Sequence, residues 1–346
     1  MMKQGNKIII LISLLFLLTG CGIRHEREYA VKVGVSPVCS SSGIFIAQEK
    51  GYFKELGLNV EIIIFESSGA PMTMLLSNGK LDVGAGNLSA GLWNAINQGL
   101  GIKLVADKGH IEKDHSYIAL LVRRDHIESG KYKSLRDLKG FKMALTALNG
   151  VSQQIATEKF LLKGGLKLSD VEFLKMSYSE MNVCLENKII DATVQLEPDI
   201  TMAELKGIAK NVAEVYDVYP DQQSAAIFYS PEFIHKHPKL AEKFMIGYVK
   251  GSRDYVDAFA NGIETEKIIT MLKKYITIES DEVWKKMIPV GLNPDGFINK
   301  ESLLNDLIWY KEKGYIERVP DINKIIDHSY IEKALIVIGK YKKDAK

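Results

Sequence analysis

The chain has 346 residues, 46% of them hydrophobic and 25% charged, with a formal net charge of +2. That length suggests about two domains and leaves ample material for two cores. The near-balance of 45 Lys+Arg against 43 Asp+Glu argues against a nucleic-acid-binding surface, which needs a basic stripe.

Lys3 and Lys7 precede an apolar run from Ile8 to Leu18, broken only by Ser13, which predicts a signal peptide over residues 1–20. The run is well short of the roughly 20 apolar residues that a spanning helix needs. It ends in Leu18-Thr19-Gly20-Cys21, which resembles the bacterial lipobox, so Cys21 is expected to carry lipid and residues 21–29 to form a tether. A cut after Gly20 removes two lysines and leaves 43 basic against 43 acidic residues, a neutral mature chain. Of the other cysteines, Cys39 and Cys184 have no tight spacing and read as small buried residues rather than a disulfide framework.

From Val31 the pattern is strand, polar loop, helix, glycine stop and strand. Val31–Ser36 reads as a buried parallel strand, Pro37–Gly43 as a loop at its carboxyl end, and Ile44 as the start of a helix that Gly51 stops. Ligands of open α/β sheets bind at that end of the strands. The serines Ser40, Ser41 and Ser42, with the free N–H groups of a helix start, suit an anion or a carbonyl oxygen, although any one serine serves equally as a helix cap. Val60–Phe65 is the next strand, Glu66–Pro71 a second strand-to-helix loop, and Leu81–Ala85 a strand leading to a third loop, Gly86–Ser89. A helix over Ala90–Asn97 and a strand over Ile102–Ala106 complete an alternating unit, the signature of a parallel sheet covered on both faces.

The second half repeats this grammar. Phe141–Thr146 is a strand, Leu148–Ser152 a loop, Gln153–Lys163 a helix, and strands follow over Val171–Met176 and Ile190–Val194. Strand-like runs at Tyr117–Arg124 and Ser224–Ser230 are placed to cross between two lobes, and the chain is then mostly helical, notably over Pro238–Ala260. The fold class is therefore α/β with two like parallel-sheet lobes, residues 30–118 and 226–346 forming one and residues 119–225 the other. A pocket is expected between their loop edges, and a double hinge permits closure.

The phrase GIFIAQEKGYFKELGLNVEI, followed by GAPMTMLLSNGKLDVGAG, resembles the opening of extracytoplasmic solute-binding proteins of ABC importers, the aliphatic sulfonate, taurine, nitrate and thiamine-pyrimidine (NMT1/THI5-like) group. Asp191-Ala192, Glu197-Pro198 and Ser230–Phe233 with His237-Pro238 resemble the later parts of the same pattern. The resemblance implies a periplasmic-binding-protein type II, or venus-flytrap, fold and a receptor that passes a small solute to a membrane permease as a lipid-anchored monomer. By position it maps ligand contacts onto Ser41, Ser42 and Gly43, onto Gly69 and Ala70, and onto Asn87 and Ser89. In the second lobe it maps them onto Asn149, Gly150, Val151 and Ser152, with Glu197 after the late strand.

Catalytic motifs are missing: no His-Glu-x-x-His, phosphate loop, Cys-x-x-Cys or nucleophile elbow occurs, and Gly84–Ser89 lacks the third glycine of a dinucleotide fingerprint. The chain also lacks the cysteine cluster of the related thiamine-pyrimidine synthases, so a binding protein without cofactor or metal is expected rather than an enzyme. A sensor or interaction protein on the same fold and a thiamine-pyrimidine-synthase-like enzyme are the other readings. His110 and His115, and His235 and His237, read as solvated loop residues. No arginine lies in the expected loops and Glu197 would repel an anion, which points to a zwitterion of taurine type or to a neutral or cationic pyrimidine; Glu197 serves equally as a structural acceptor. Tyr178 and Trp93 are candidate aromatic walls, with core packing favoured for both.

Overall fold

The structure, a computed structural model, describes residues 29–65, 70–278 and 280–342. The expected signal segment, Cys21 and Gly69 lie outside the described residues, and of Ala70 only its place at the start of a helix is given. Among the described residues no helix is long and apolar enough to cross a membrane.

Two five-stranded sheets form the two lobes. The first contains β1 (Ala30–Val35), β2 (Asn59–Ile64), β3 (Val83–Asn87), β4 (Lys103–His110) and β10 (Gln223–Tyr229), in the order β2-β1-β3-β10-β4. The second contains β5 (Ile118–Arg123), β6 (Lys142–Leu145), β7 (Glu172–Lys175), β8 (Ala192–Leu196) and β9 (Ala209–Glu214), in the order β7-β6-β8-β5-β9. β1 runs parallel to β2 and β3, and β6 parallel to β7 and β8. β10 is antiparallel to β3 and β4, and β5 to β8 and β9. Each sheet is therefore mixed, because the strand that arrives from the other lobe enters from the opposite end.

The runs expected to cross between lobes lie within the sheets instead. The crossings are residues 111–117 and 215–222, and the lobe boundary expected at 225/226 falls inside β10. All seven residues of β10 are buried, as a strand covered on both faces requires. β4 runs on to His110, four residues beyond the expected end at Ala106. Asp107 is tolerated there because its carboxylate accepts from Gly109 N (2.9 Å), Gln223 Nε2 (2.6 Å) and Asn293 N (2.7 Å).

Seven helices bear on the site: α1 (Ser42–Glu49), α2 (Ala90–Asn97), α3 (Ser152–Lys163), α4 (Tyr178–Glu186), α5 (Asp199–Leu205), α6 (Pro238–Ala260) and α7 (Lys300–Glu312). α6 buries Ala241, Phe244, Met245, Tyr248, Val249 and Tyr255, a stripe at helical spacing laid against the first lobe. Phe244 stacks on Phe53 at 5.0 Å and meets Tyr229 of β10 edge-on at 6.1 Å, tying helix to sheet. α7 bridges the lobes: Tyr310 donates to Leu88 O (3.3 Å), while Trp309 and Lys313 both reach Glu158 of α3.

A cavity between two sheets

A cavity of about 670 Å³ opens between the lobes. Its first-lobe wall is built at the carboxyl end of β1, where Ser36, Val38, Cys39 and Ser40 line it, with Asn87 at the end of β3, Ser89 just after it and Lys108 on β4. Its second-lobe wall is Thr146, Val151, Ser152 and Gln153, with Ser177 and Tyr178 at the start of α4. Tyr117, Gln222 and Ser224, at or beside the crossings, line it as well.

The lobes touch along one side of this cavity. Ser89 and Val151 form an isolated antiparallel bridge, and Ala90 N donates to Gly150 O at 2.9 Å. Gly150 has φ +77°, and a Cβ there would lie 2.9 Å from both Ala90 Cβ and Tyr315 Cδ2, so only glycine lets the two backbones approach. Gln222 Nε2 donates to Ser152 O at 3.2 Å, which links a crossing to the second wall.

The helix start departs from the expected arrangement. A 3₁₀ turn over Cys39–Ser41 runs straight into α1 at Ser42, so the chain coils before Ile44. Ser41, Ser42 and Gly43 are thereby turned into the core. Ser41 Oγ donates to Ser36 O (2.8 Å), and a Cβ on Gly43 would lie 2.3 Å from Ser252 Oγ of α6. Of the positions inferred from the sequence, Asn87, Ser89, Val151, Ser152 and Glu197 are brought together around the cavity. Ser41, Ser42, Gly43, Asn149 and Gly150 are not among its lining residues; Asn149 is exposed and Gly150 packs behind the wall.

Glu197 is 2% exposed, and its two carboxylate oxygens accept from Thr201 N (3.1 Å), Thr201 Oγ1 (3.0 Å) and Ile288 N (3.2 Å). It therefore ties α5 to the segment that packs beside the first lobe. Burial raises its pKa, partly opposed by these bonds. Asp199, next but one, is also pushed up, to about 7, by burial and by Glu197.

Sequence reasoning missed Lys108. It is 1% exposed, and its Nζ donates to Ser40 Oγ at 2.7 Å. Burial holds its pKa at about 7, against smaller raising effects from Asp107 and Cys39. The one signal in the sequence is a lysine two residues past an apolar strand run, which reads equally as a strand end. Ser36 Oγ, also buried at the cavity wall, has no hydrogen-bond partner among the described residues. Ser224 Oγ donates its one proton to Gly109 O (2.8 Å), so Tyr117 is the donor in the 2.5 Å contact between the two hydroxyls. The phenol oxygen of Tyr117 therefore keeps an acceptor lone pair.

Of the two aromatic candidates, Tyr178 lines the cavity, whereas Trp93 is fully buried in the first-lobe core. His235 is exposed as expected, whereas His110 and His237 are less solvated. His110 closes β4 and pairs with Asp107 (3.1 Å), and against the lowering effect of burial Asp107 and Glu112 raise it to about 10. His237 stacks on Tyr29 with centroids 3.7 Å apart. No group of three or more His, Cys, Asp or Glu suited to a metal ion occurs among the described residues.

The family model described as NMT1/THI5 like matches residues 39–258. A protein of Brucella abortus (strain 2308), named only as a binding protein, is 27% identical over 311 residues, which is 86% of this chain and 89% of the relative. Among solved structures, the ligand-binding component of an ABC-type import system from Staphylococcus aureus, with zinc bound, superposes with a TM-score of 0.73 at 16% identity. That match covers 89% of this chain and 99% of the other. The periplasmic aliphatic sulphonate binding protein SsuA of Escherichia coli superposes at 0.67 and 18% identity, over 86% and 91% of the two chains.

Proposed function

The chain belongs to the NMT1/THI5-like family, and on that premise we propose that it is the solute-binding protein of an ABC importer, lipid-anchored through Cys21 on the extracytoplasmic face. It captures a small organic solute between its lobes and presents it, as a monomer, to a membrane permease. The solute is an aliphatic sulfonate of taurine type or a pyrimidine precursor of thiamine.

The observation that carries this reading is the cavity itself. Its volume of about 670 Å³ is in the range of small-molecule sites, and both lobes contribute polar groups to it. Ser36 Oγ is buried there without a partner among the described residues, a polar group for which a ligand would supply the missing bond. The names of the relatives support the same reading: the Brucella protein is called a binding protein, and the two solved neighbours are called the ligand-binding component of an ABC-type import system and an aliphatic sulphonate binding protein. Contacts with solute fall to Asn87, Ser89, Val151 and Ser152, with Ser36 and Ser40 in the place foreseen for Ser41, Ser42 and Gly43.

A thermal-shift screen of sulfonates, taurine, nitrate and pyrimidines tests it. A ligand at a hundred times its Kd stabilises the folded state by about 2.7 kcal/mol, a shift of several degrees in Tm. A flat response to every compound contradicts a solute-binding role.

A further inference from the structure

Lys108 is a buried ammonium site with no carboxylate in ion-pair distance among the described residues. Asp107, Glu197 and Glu180 are committed elsewhere. Asp107 faces the other side of β4, where Gly109 N, Gln223 Nε2, Asn293 N and His110 hold it. Glu197 is satisfied by Thr201 and Ile288, and Asp199 beyond it is itself pushed up to about 7. Glu180, on the opposite wall, accepts from Ser177 N and Ser177 Oγ, each at 2.7 Å. The remaining titratable neighbours carry no charge at neutral pH. Burial pushes the Cys39 thiol up to about 12 and raises the phenols of Tyr117, Tyr178, Tyr248 and Tyr255. The other lysine on the lining, Lys175, is exposed at the end of β7 and adds positive rather than negative charge.

We propose that Lys108 is the counter-charge for an acidic group on the solute, so that the cavity selects organic anions and takes up a proton as it fills. This rests on the reading that the cavity is a solute site, and it names the class of solute. An ammonium removed from water is costly unless an anion and hydrogen bonds replace the solvent. Lys108 makes one hydrogen bond, to Ser40 Oγ, and has two N–H groups left when charged. Because Ser40 accepts from Lys108, its own proton is free for an anion, and the unpartnered Ser36 hydroxyl stands on the same wall. Val38, Ile118, Val151, Leu196 and Val290 complete an apolar surround for the rest of the molecule. Those residues describe a sulfonate or carboxylate on an apolar body, with an ion pair strengthened by burial.

In the empty cavity Lys108 is about half neutral near pH 7. A bound anion raises its pKa, so above that pH each binding event carries a proton from solution to Nζ, and affinity falls about tenfold per pH unit. Below pH 7 the lysine is already charged and affinity levels off.

A charge-matched panel tests this with the full chain: ethane-, butane- and benzenesulfonate and benzoate, against butyramide, benzamide, butylammonium and benzylammonium. Anions alone are expected to raise Tm. Calorimetry of the most stabilising anion at pH 8, in phosphate and in Tris, is expected to report uptake of close to one proton, because the two buffers differ in ionisation enthalpy. Lys108→Met is expected to lose at least 100-fold in affinity for that anion together with the pH dependence. Proton uptake by the unaltered protein stands as a readout even if the variant folds poorly. Stabilisation by the amides or amines but not by the anions, or anion binding without proton uptake, overturns the assignment of Lys108 and leaves the solute-binding role intact. A flat response across all eight compounds overturns the assignment of Lys108, and only joined to a flat response to taurine, nitrate and pyrimidines does it overturn the solute-binding role as well.

Discussion

Raising the pH from 7 to 10.5 is expected to stabilise the solute-free protein, relative to its Lys108→Met variant, by roughly 4 kcal/mol. An unfolded lysine binds its proton below about 10.5, whereas burial lets Lys108 bind one only below about 7. Between those values the unfolded chain holds more protons than the folded one, so unfolding becomes harder as pH rises. Below pH 7 both states are protonated and the lysine's cost is constant and largest. His110 acts in the opposite direction: its folded pKa of about 10 gives stability that is full below 6.5 and lost on the way to 10. That loss is common to both proteins and cancels in the comparison. Urea denaturation of the two proteins at pH 7, 8.5 and 10 measures the difference, and parallel curves mean that Lys108 is solvated rather than buried.

Gly251→Leu is expected to destabilise the protein by about 3 kcal/mol or more, through overpacking at a backbone contact. A Cβ on Gly251 would lie 2.1 Å from Gly43 O and 2.9 Å from Ala47 N. A Cβ on Gly43 meets Ser252 of α6 just as closely. At Gly251 the atoms met are backbone of α1, which cannot yield as a side-chain tip can, whereas at Gly43 the nearest atom is the Ser252 hydroxyl. Separating them also displaces the turn that carries Ser36 and Ser40, so the variant that survives folding should bind solute weakly. Guanidinium denaturation checks the first effect, and a loss below 1 kcal/mol shows that the helices part more easily than their spacing implies.

The alternating frame was legible because its determinants are local. Apolar strand runs, glycine stops after Glu49 and Lys163, and the amphipathic stripe of Pro238–Ala260 fix elements within a few residues, and the structure has a strand or helix at each. The lobes follow from that alternation. What failed depends on tertiary partners. Asp107 and Lys108 look like the end of a strand until Gln223, Asn293 and Ser40 appear beside them. β9 (Ala209–Glu214) carries Lys210, Asn211 and Glu214 among its apolar residues, and pairing with β5 is what makes it a strand.

The site shows the same division. The loops after β1, β3 and β6 border the cavity, that over residues 66–71 lying largely outside the described residues, and Asn87, Ser89, Val151, Ser152 and Glu197 are among the cavity's lining residues. Which serines of the first loop face it turned on the helix register. Coiling begins at Cys39 instead of Ile44, and each residue turns the side chain by about 120° in the 3₁₀ turn and about 100° in the α-helix that follows. Ser40 therefore points to the cavity while Ser41 and Ser42 point to the core. The argument from Glu197 against an anion weakens, because its oxygens are held by Thr201 and Ile288 and Lys108, outside the expected loops, lines the same cavity.

Native mass spectrometry of the protein purified without exposure to denaturant tests the central claim most directly, that the interlobe cavity holds one small solute. The account predicts a discrete added mass, one per chain, that is lost on denaturation and identified in the released fraction as an organic acid. A chain mass with nothing added, in a preparation whose Tm no small molecule raises, contradicts it.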